Sequence, residues 1–236
     1  VKITMSSTYW TESELEKAKP VKPVVVDVVF KIRGQQVAAD HAFALSKALT
    51  NELPWLGTER EVSIHLIHGA QSANGWCKPD DSGIIELSGR TRLIIRVPHT
   101  RLEDAKALIG ASLNLDEHKI EILDAKPRPL STNSTIFSHH VRSLDITNSE
   151  PAFLASVAHW LEDLAITPKK MLCGGMSHLK MSESVISTRS LLIAELNRNE
   201  SIAVQTHGLG PDRLFGCGVF VPSKSISAVH QPESDH

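Results

Sequence analysis

The 236-residue chain is long enough for one large domain or two small ones, and 41% hydrophobic with 22% charged residues is the balance of a folded globular protein. A net charge of −2 excludes wholesale electrostatic attraction to nucleic acid, and no apolar run approaches the ~20 residues that cross a bilayer. Three scattered cysteines, Cys77, Cys173 and Cys217, exclude a disulfide framework and fit a reducing cytoplasm.

The first 22 residues are polar, mixed in charge and without Met at their head; they read as an N-terminal extension with no signal peptide. "PVVVDVVFKI" (23–32) is a valine-rich strand bounded by Pro23 and Gly34. A helix follows, with Asp40 as its expected N-cap, a stripe of Ala42, Leu45 and Leu49, and Pro54 near its end. "EVSIHLI" (61–67) alternates as a strand. After a polar loop, "IIELS" and "RLIIRV" flank Gly89 as an expected hairpin. "HTRLEDAKALIG" carries a capping-box pattern, Thr100 to Glu103, and stops at Gly110. "HKIEILDA" closes a β-α-β-β-α-β set spanning 23–125.

"KPRPLS" opens an expected linker over 126–135. Beyond it the same order returns over 136–223. "TIFSHHV" is a strand, "EPAFLASVAHWLEDLAI" an amphipathic helix with Pro151 in its first turn, and "KKMLCGG" a short strand. "VISTRSLLIAEL" is a strand, "ESIAVQTH" a short helix closed by Gly208, and "GCGVFVP" a strand. A polar tail fills 224–236. The fold class expected is α+β: tandem ferredoxin-like (RRM-like) domains, each β-α-β-β-α-β.

Charge is unevenly spread. No acid falls between Asp124 and Asp145, where Lys126, Arg128 and Arg142 stand; none falls between Asp163 and Glu183, where Lys169, Lys170 and Lys180 stand. A near-neutral protein can carry a basic face. On charge alone, a solvated mixed surface is the simpler reading.

The segment "HGLGPDRLFGCGVFVP" (207–222) places Gly208, Gly210, Gly216 and Gly218 around Arg213. It lacks the Lys-Ser/Thr of a P-loop and the third glycine and position of a dinucleotide turn. What remains is a loop whose backbone can come close to something, with one guanidinium; phosphate oxygens suit such a nest. Turn and cap glycines explain it equally well.

This loop, followed by an apolar strand after two ferredoxin-like units, resembles the CRISPR-associated repeat-processing endoribonucleases, the sixth Cas family. "DVVFKIRGQQVAADHAFALSKAL", "SIHLIHG", "SGRTRLIIRVP" and "LFGCGVFV" are similar to blocks of one branch of that family. The resemblance implies cleavage of precursor CRISPR RNA within its repeats, without metal or cofactor. It also implies retention on the guide 3′ stem-loop beside other effector subunits. By resemblance His41 matches the catalytic histidine, and the four glycines match the family loop.

Such chemistry uses the RNA's own 2′-OH as nucleophile, giving a 2′,3′-cyclic phosphate and a 5′-OH. An imidazole suits the proton work. His41 heads a helix, where the dipole disfavours its charged form, while neighbouring Asp40 pulls the other way. His68, at a strand end before Gly69, is the rival; His65 falls on the opposite strand face. His139, His140 and His207 could contact RNA. Family members often use a tyrosine or lysine as helper. Tyr9 is the one tyrosine. Lys47 is a possible helper, though six residues from His41 is not one helical face. Lys126, Arg128, Lys169, Lys170, Arg189 and Arg213 are the phosphate candidates. Few aromatics favour shape and phosphate recognition over base stacking. The alternatives are a catalytically inactive guide-binding subunit and a metabolite-binding module of the same fold. A zinc site is a third, but no histidine or cysteine spacing matches a ligand set.

Overall fold

The structure is a computed structural model that describes residues 24–69, 83–144 and 149–223. The N-terminal extension with Tyr9, the loop with Cys77 and the C-terminal tail lie outside the described residues. In chain order the front unit comprises β1 (Val25–Arg33), β2 (Gln36–Ala38), α1 (Ala42–Glu52), β3 (Ser63–His65), β4 (Ile84–Glu86), β5 (Arg92–Pro98), α2 (Leu102–Lys106), β6 (Ser112–Leu115) and β7 (His118–Pro129). The back unit comprises β8 (Ile136–Arg142), α3 (Glu150–Asp163), β9 (Lys170–Lys180), β10 (Val185–Ala194), α4 (Arg198–His207) and β11 (Val221–Pro222).

The front sheet runs β3-β5-β1-β7-β6 and the back sheet β11-β8-β10-β9. In each unit the first strand lies between the third and the last, which is the ferredoxin-like order, twice over. Alternation in β1 sends Val26, Val28, Phe30 and Ile32 to a core shared with Leu45 and Leu49 of α1. In the back unit Phe153, Val157 and Leu161, at helical i, i+4 spacing, pack on Ile136, Val141, Leu191 and Ile193. A third cluster spans the units: Ala42 and Leu66 from the front, Leu179, Ile186, Phe215 and Cys217 from the back.

Four local expectations are corrected. The β4 segment pairs with β2 (Val37 opposite Ile85) and not with β5, whose partners are β1 and β3. The capping box at Thr100 does not form; residues 99–101 make a 3₁₀ turn and α2 is only five residues long. Asp40 does not cap α1; its Oδ2 accepts from the Lys180 N–H at 3.0 Å, tying the helix start to the back unit. Lys126–Pro129 are not linker; they continue β7 opposite Val26–Val29. Strand β6 reaches only His118–Glu121, so the prolines at 127 and 129 lie where that side of β7 has no ladder to break.

Candidate active site at the junction of the units

His41 occupies the N-cap of α1. Its side chain is only 2% exposed. Nδ1 lies 2.8 Å from the Ala38 carbonyl and must donate to it. Nε2 accepts the Ile67 N–H at 2.9 Å. Together these contacts select the neutral Nδ1–H tautomer, with the lone pair on Nε2. The ring is turned inward, onto the strand end that carries His68.

His68 stacks across the junction on His139 of β8, with ring centroids 4.5 Å apart. Phe137 meets the His139 ring edge-on at 4.8 Å. Both histidines are half-buried. Burial pushes His139 down to about 4. Burial, then the charges of His139, His140 and His41, holds His68 well below the usual imidazole range. His140, next along β8, is buried, with Nδ1 3.0 Å from the Thr188 hydroxyl. His41, His68 and His140 line one small cavity of about 10 Å³, room for about one water.

The glycine loop is anchored beside these rings. The Gly218 N–H donates to the His140 carbonyl at 2.6 Å. All four glycines have positive φ. A Cβ at Gly216 would lie 2.5 Å from Leu66, two residues before His68, and one at Gly218 would lie 2.2 Å from the Leu209 carbonyl. Gly208, Gly216 and Gly218 are buried, so protein atoms occupy the close approach expected of a phosphate. Arg213 is likewise engaged within the protein. Its guanidinium donates to the carbonyls of Arg60 and Thr206 and to the Ser63 hydroxyl, strapping the loop to the front unit. Burial lowers it to about 10.

The remaining candidates are dispersed. Lys47, Lys126, Lys169 and Lys170 are exposed. Arg128 is half exposed and ion-paired with Asp27 at 2.9 Å. Arg189 donates to the Gly174 carbonyl at 3.1 Å. His207 is 3.7 Å from Glu61. Among the described residues no group of three or more His, Cys, Asp or Glu side chains is arranged to hold a metal ion, and no helix is long and apolar enough to cross a membrane.

Sequence reasoning missed the hub behind the site. Arg96, 1% exposed, pairs with Asp27 at 2.7 Å; His65 Nε2 is 3.6 Å from the same carboxylate. Burial would raise the Asp27 carboxyl, but His65 and Arg96 outweigh it and hold it well below the usual carboxylate range. Burial, partly offset by Asp27, lowers His65. The signal was present: Asp27 in "VVVDVVF" and Arg96 inside "RLIIRVP" are charges in apolar strands, and such charges require each other.

Residues 26–225 match the family described as "Cas6 Crispr". The "CRISPR-associated endonuclease Cas6" of Myxococcus xanthus (strain DK1622) is 24% identical over 199 residues, covering 84% of this chain and 82% of that protein. A Cas6-related protein from Pyrococcus furiosus superposes with a TM-score of 0.56 at 12% identity, over 83% of this chain and 97% of the other. A RAMP protein described as binding different RNA substrates does so at 0.58 and 12%, over 83% and 98%. At these identities the structural likeness is one of fold. The match that covers both units shows the family: the chain belongs to the Cas6 CRISPR family.

Proposed function

We propose that this chain is an endoribonuclease that cuts precursor CRISPR RNA within its repeats, without a metal ion, and stays on the guide stem-loop as a subunit of an effector complex. The observation that carries this reading is the convergence of His41, His68, His139 and His140 beside the anchored glycine loop. The Myxococcus relative's description as an endonuclease supports it.

In this reading His41 is the general base. The Ala38 carbonyl fixes its tautomer, leaving Nε2 to take a proton. The ribose 2′-OH replaces the Ile67 N–H as the group donating to Nε2, and catalytic hydrogen bonds commonly form only in the substrate complex. The 2′-oxygen then attacks phosphorus, the 5′-oxygen leaves, and a 2′,3′-cyclic phosphate results. Lys126, Arg128, Lys169 and Lys170 supply phosphate contacts from the surface. The buried ring of His41 favours one second reading, a subunit that holds guide RNA without cutting it.

Incubating labelled repeat RNA with the protein in EDTA separates the two. The expected outcome is a 5′-OH fragment and a cyclic phosphate, lost when the 2′-OH at the cut is replaced by hydrogen. His41→Ala slows cleavage by about 10²–10⁴-fold while RNA binding survives. Binding without cleavage by the unaltered protein establishes the second reading.

A further inference from the structure

We propose that His139, on the back unit, is the general acid that protonates the leaving 5′-oxygen. This rests on the reading that the chain cuts RNA by 2′-OH attack. In that reaction the O2′–P bond forms and the P–O5′ bond breaks. The 2′-OH proton goes to a base, and a second proton must reach O5′, because an alkoxide is a poor leaving group. Attacking and leaving oxygens sit on opposite sides of the phosphorus in an in-line displacement. One imidazole held in place, as His41 is by two backbone contacts, does not serve both sides.

His139 meets the requirements of the second group. It comes from the opposite wall of the junction and is half-buried, so an RNA phosphate at the lip can reach it. Its ring is fixed on two sides, by His68 at 4.5 Å and by the Phe137 edge at 4.8 Å. Its neighbour His140 accepts the Gly218 N–H, so the strand presenting the ring is the strand that seats the glycine loop. The His68–His139 contact places the ring next to the Ile67–His68 strand end, where His41 waits. Burial disfavours charge on both stacked rings of the protein alone. An incoming phosphodiester anion beside His139 favours its imidazolium, so the acid forms as the substrate enters.

The test is a repeat RNA whose scissile 5′-oxygen is replaced by sulfur, since a thiolate leaves without protonation. His139→Ala and the hydrogen-bonding His139→Gln are compared with the unaltered protein on both RNAs. The expected result is a loss of about 10²-fold or more on the oxygen substrate. Cleavage of the sulfur substrate returns to within several-fold of the unaltered protein, while His41→Ala stays slow on both. Unchanged cutting of the oxygen substrate by both variants overturns the proposal. So does an equal deficit on both substrates, which marks a structural role. If the unaltered protein cuts neither RNA, the nuclease reading itself falls, and this proposal with it.

Discussion

Arg96 and Gln205 are separated by 109 positions, yet Nη1 of the first donates to the carbonyl of the second at 2.8 Å. The same nitrogen reaches the Phe220 carbonyl at 3.2 Å. These two carbonyls bracket the glycine loop, so one buried guanidinium of the front sheet grips the loop at both ends. Its charge is balanced by Asp27, which Arg128 also contacts.

Removing Arg96 leaves a buried carboxylate short of a partner and two carbonyls unpaired. Arg96→Ala is expected to cost about 3–5 kcal/mol. Asp27→Asn combined with Arg96→Met costs less than the sum of the single changes, because the pair's charges vanish together. Urea unfolding checks both, and equal additive losses would contradict the coupling.

The glycine loop gives a ranked series. Gly218→Ala drives a Cβ to 2.2 Å from a backbone carbonyl, which cannot yield. Gly210→Ala meets the Trp160 ring at 2.7 Å. Both also carry positive φ, a conformation costing an alanine roughly 1 kcal/mol or more. Gly218→Ala is expected to be the more damaging, and shortening Trp160 to leucine relieves only Gly210→Ala. Gly57→Ala and Gly175→Ala, with nothing within 4 Å of the added carbon, stay within about 0.5 kcal/mol. Thermal melts of the four proteins decide the order.

Most elements of both units were legible in the sequence because valine-rich alternation and i, i+4 stripes mark elements regardless of their partners. Gly208 as the closing residue of α4 and Pro151 at the start of α3 were legible for the same local reason. Partners in space were not. His41 meets Ile67 across 26 positions inside the front unit and Arg213 meets Arg60 across 153 between the units, contacts set by packing that no local pattern records. The prolines of "KPRP" hid the end of β7, since nothing local says that one side of a strand is free. A run of glycines signalled close approach correctly, but could not say whether the neighbour would be phosphate or, as at Gly216, a leucine of the other unit.

Folding stability should fall with acid over a defined window. His139 is depressed to about 4, His68 well below its usual value and His65 below it, chiefly by burial. Around His139 stand His68, Phe137 and His140; His65 has Asp27 as partial compensation. In the unfolded chain these rings bind protons near pH 6.5, before the folded forms do. Their contribution is complete above that pH and is lost as pH falls from about 6.5 toward 4. Each ring contributes at most about 1.4 kcal/mol per pH unit. Urea midpoints at pH 7.5, 6 and 5 check this, and His139→Phe flattens the slope. A midpoint independent of pH across that window would contradict the buried neutral stack.

Salt dependence distinguishes the surface lysines from the strap. Lys126, Lys169 and Lys170 are exposed, so each is free to release counterions when it meets a phosphate. Arg213 is committed to Arg60, Ser63 and Thr206. Each lysine that contacts RNA, changed to alanine, reduces the slope of log affinity against log salt by about 0.7–0.9. Arg213→Lys leaves that slope unchanged and lowers stability instead, because a lysine ammonium cannot span three acceptors in a planar fork. Anisotropy titrations of a repeat hairpin at several salt concentrations, paired with urea unfolding, read both quantities on one protein. A slope reduced by the Arg213 change at unaltered stability would return that side chain to the RNA interface and leave the loop held to the front unit by Arg96 and by the packing of Phe215, Gly216 and Cys217 against Ala42 and Leu66.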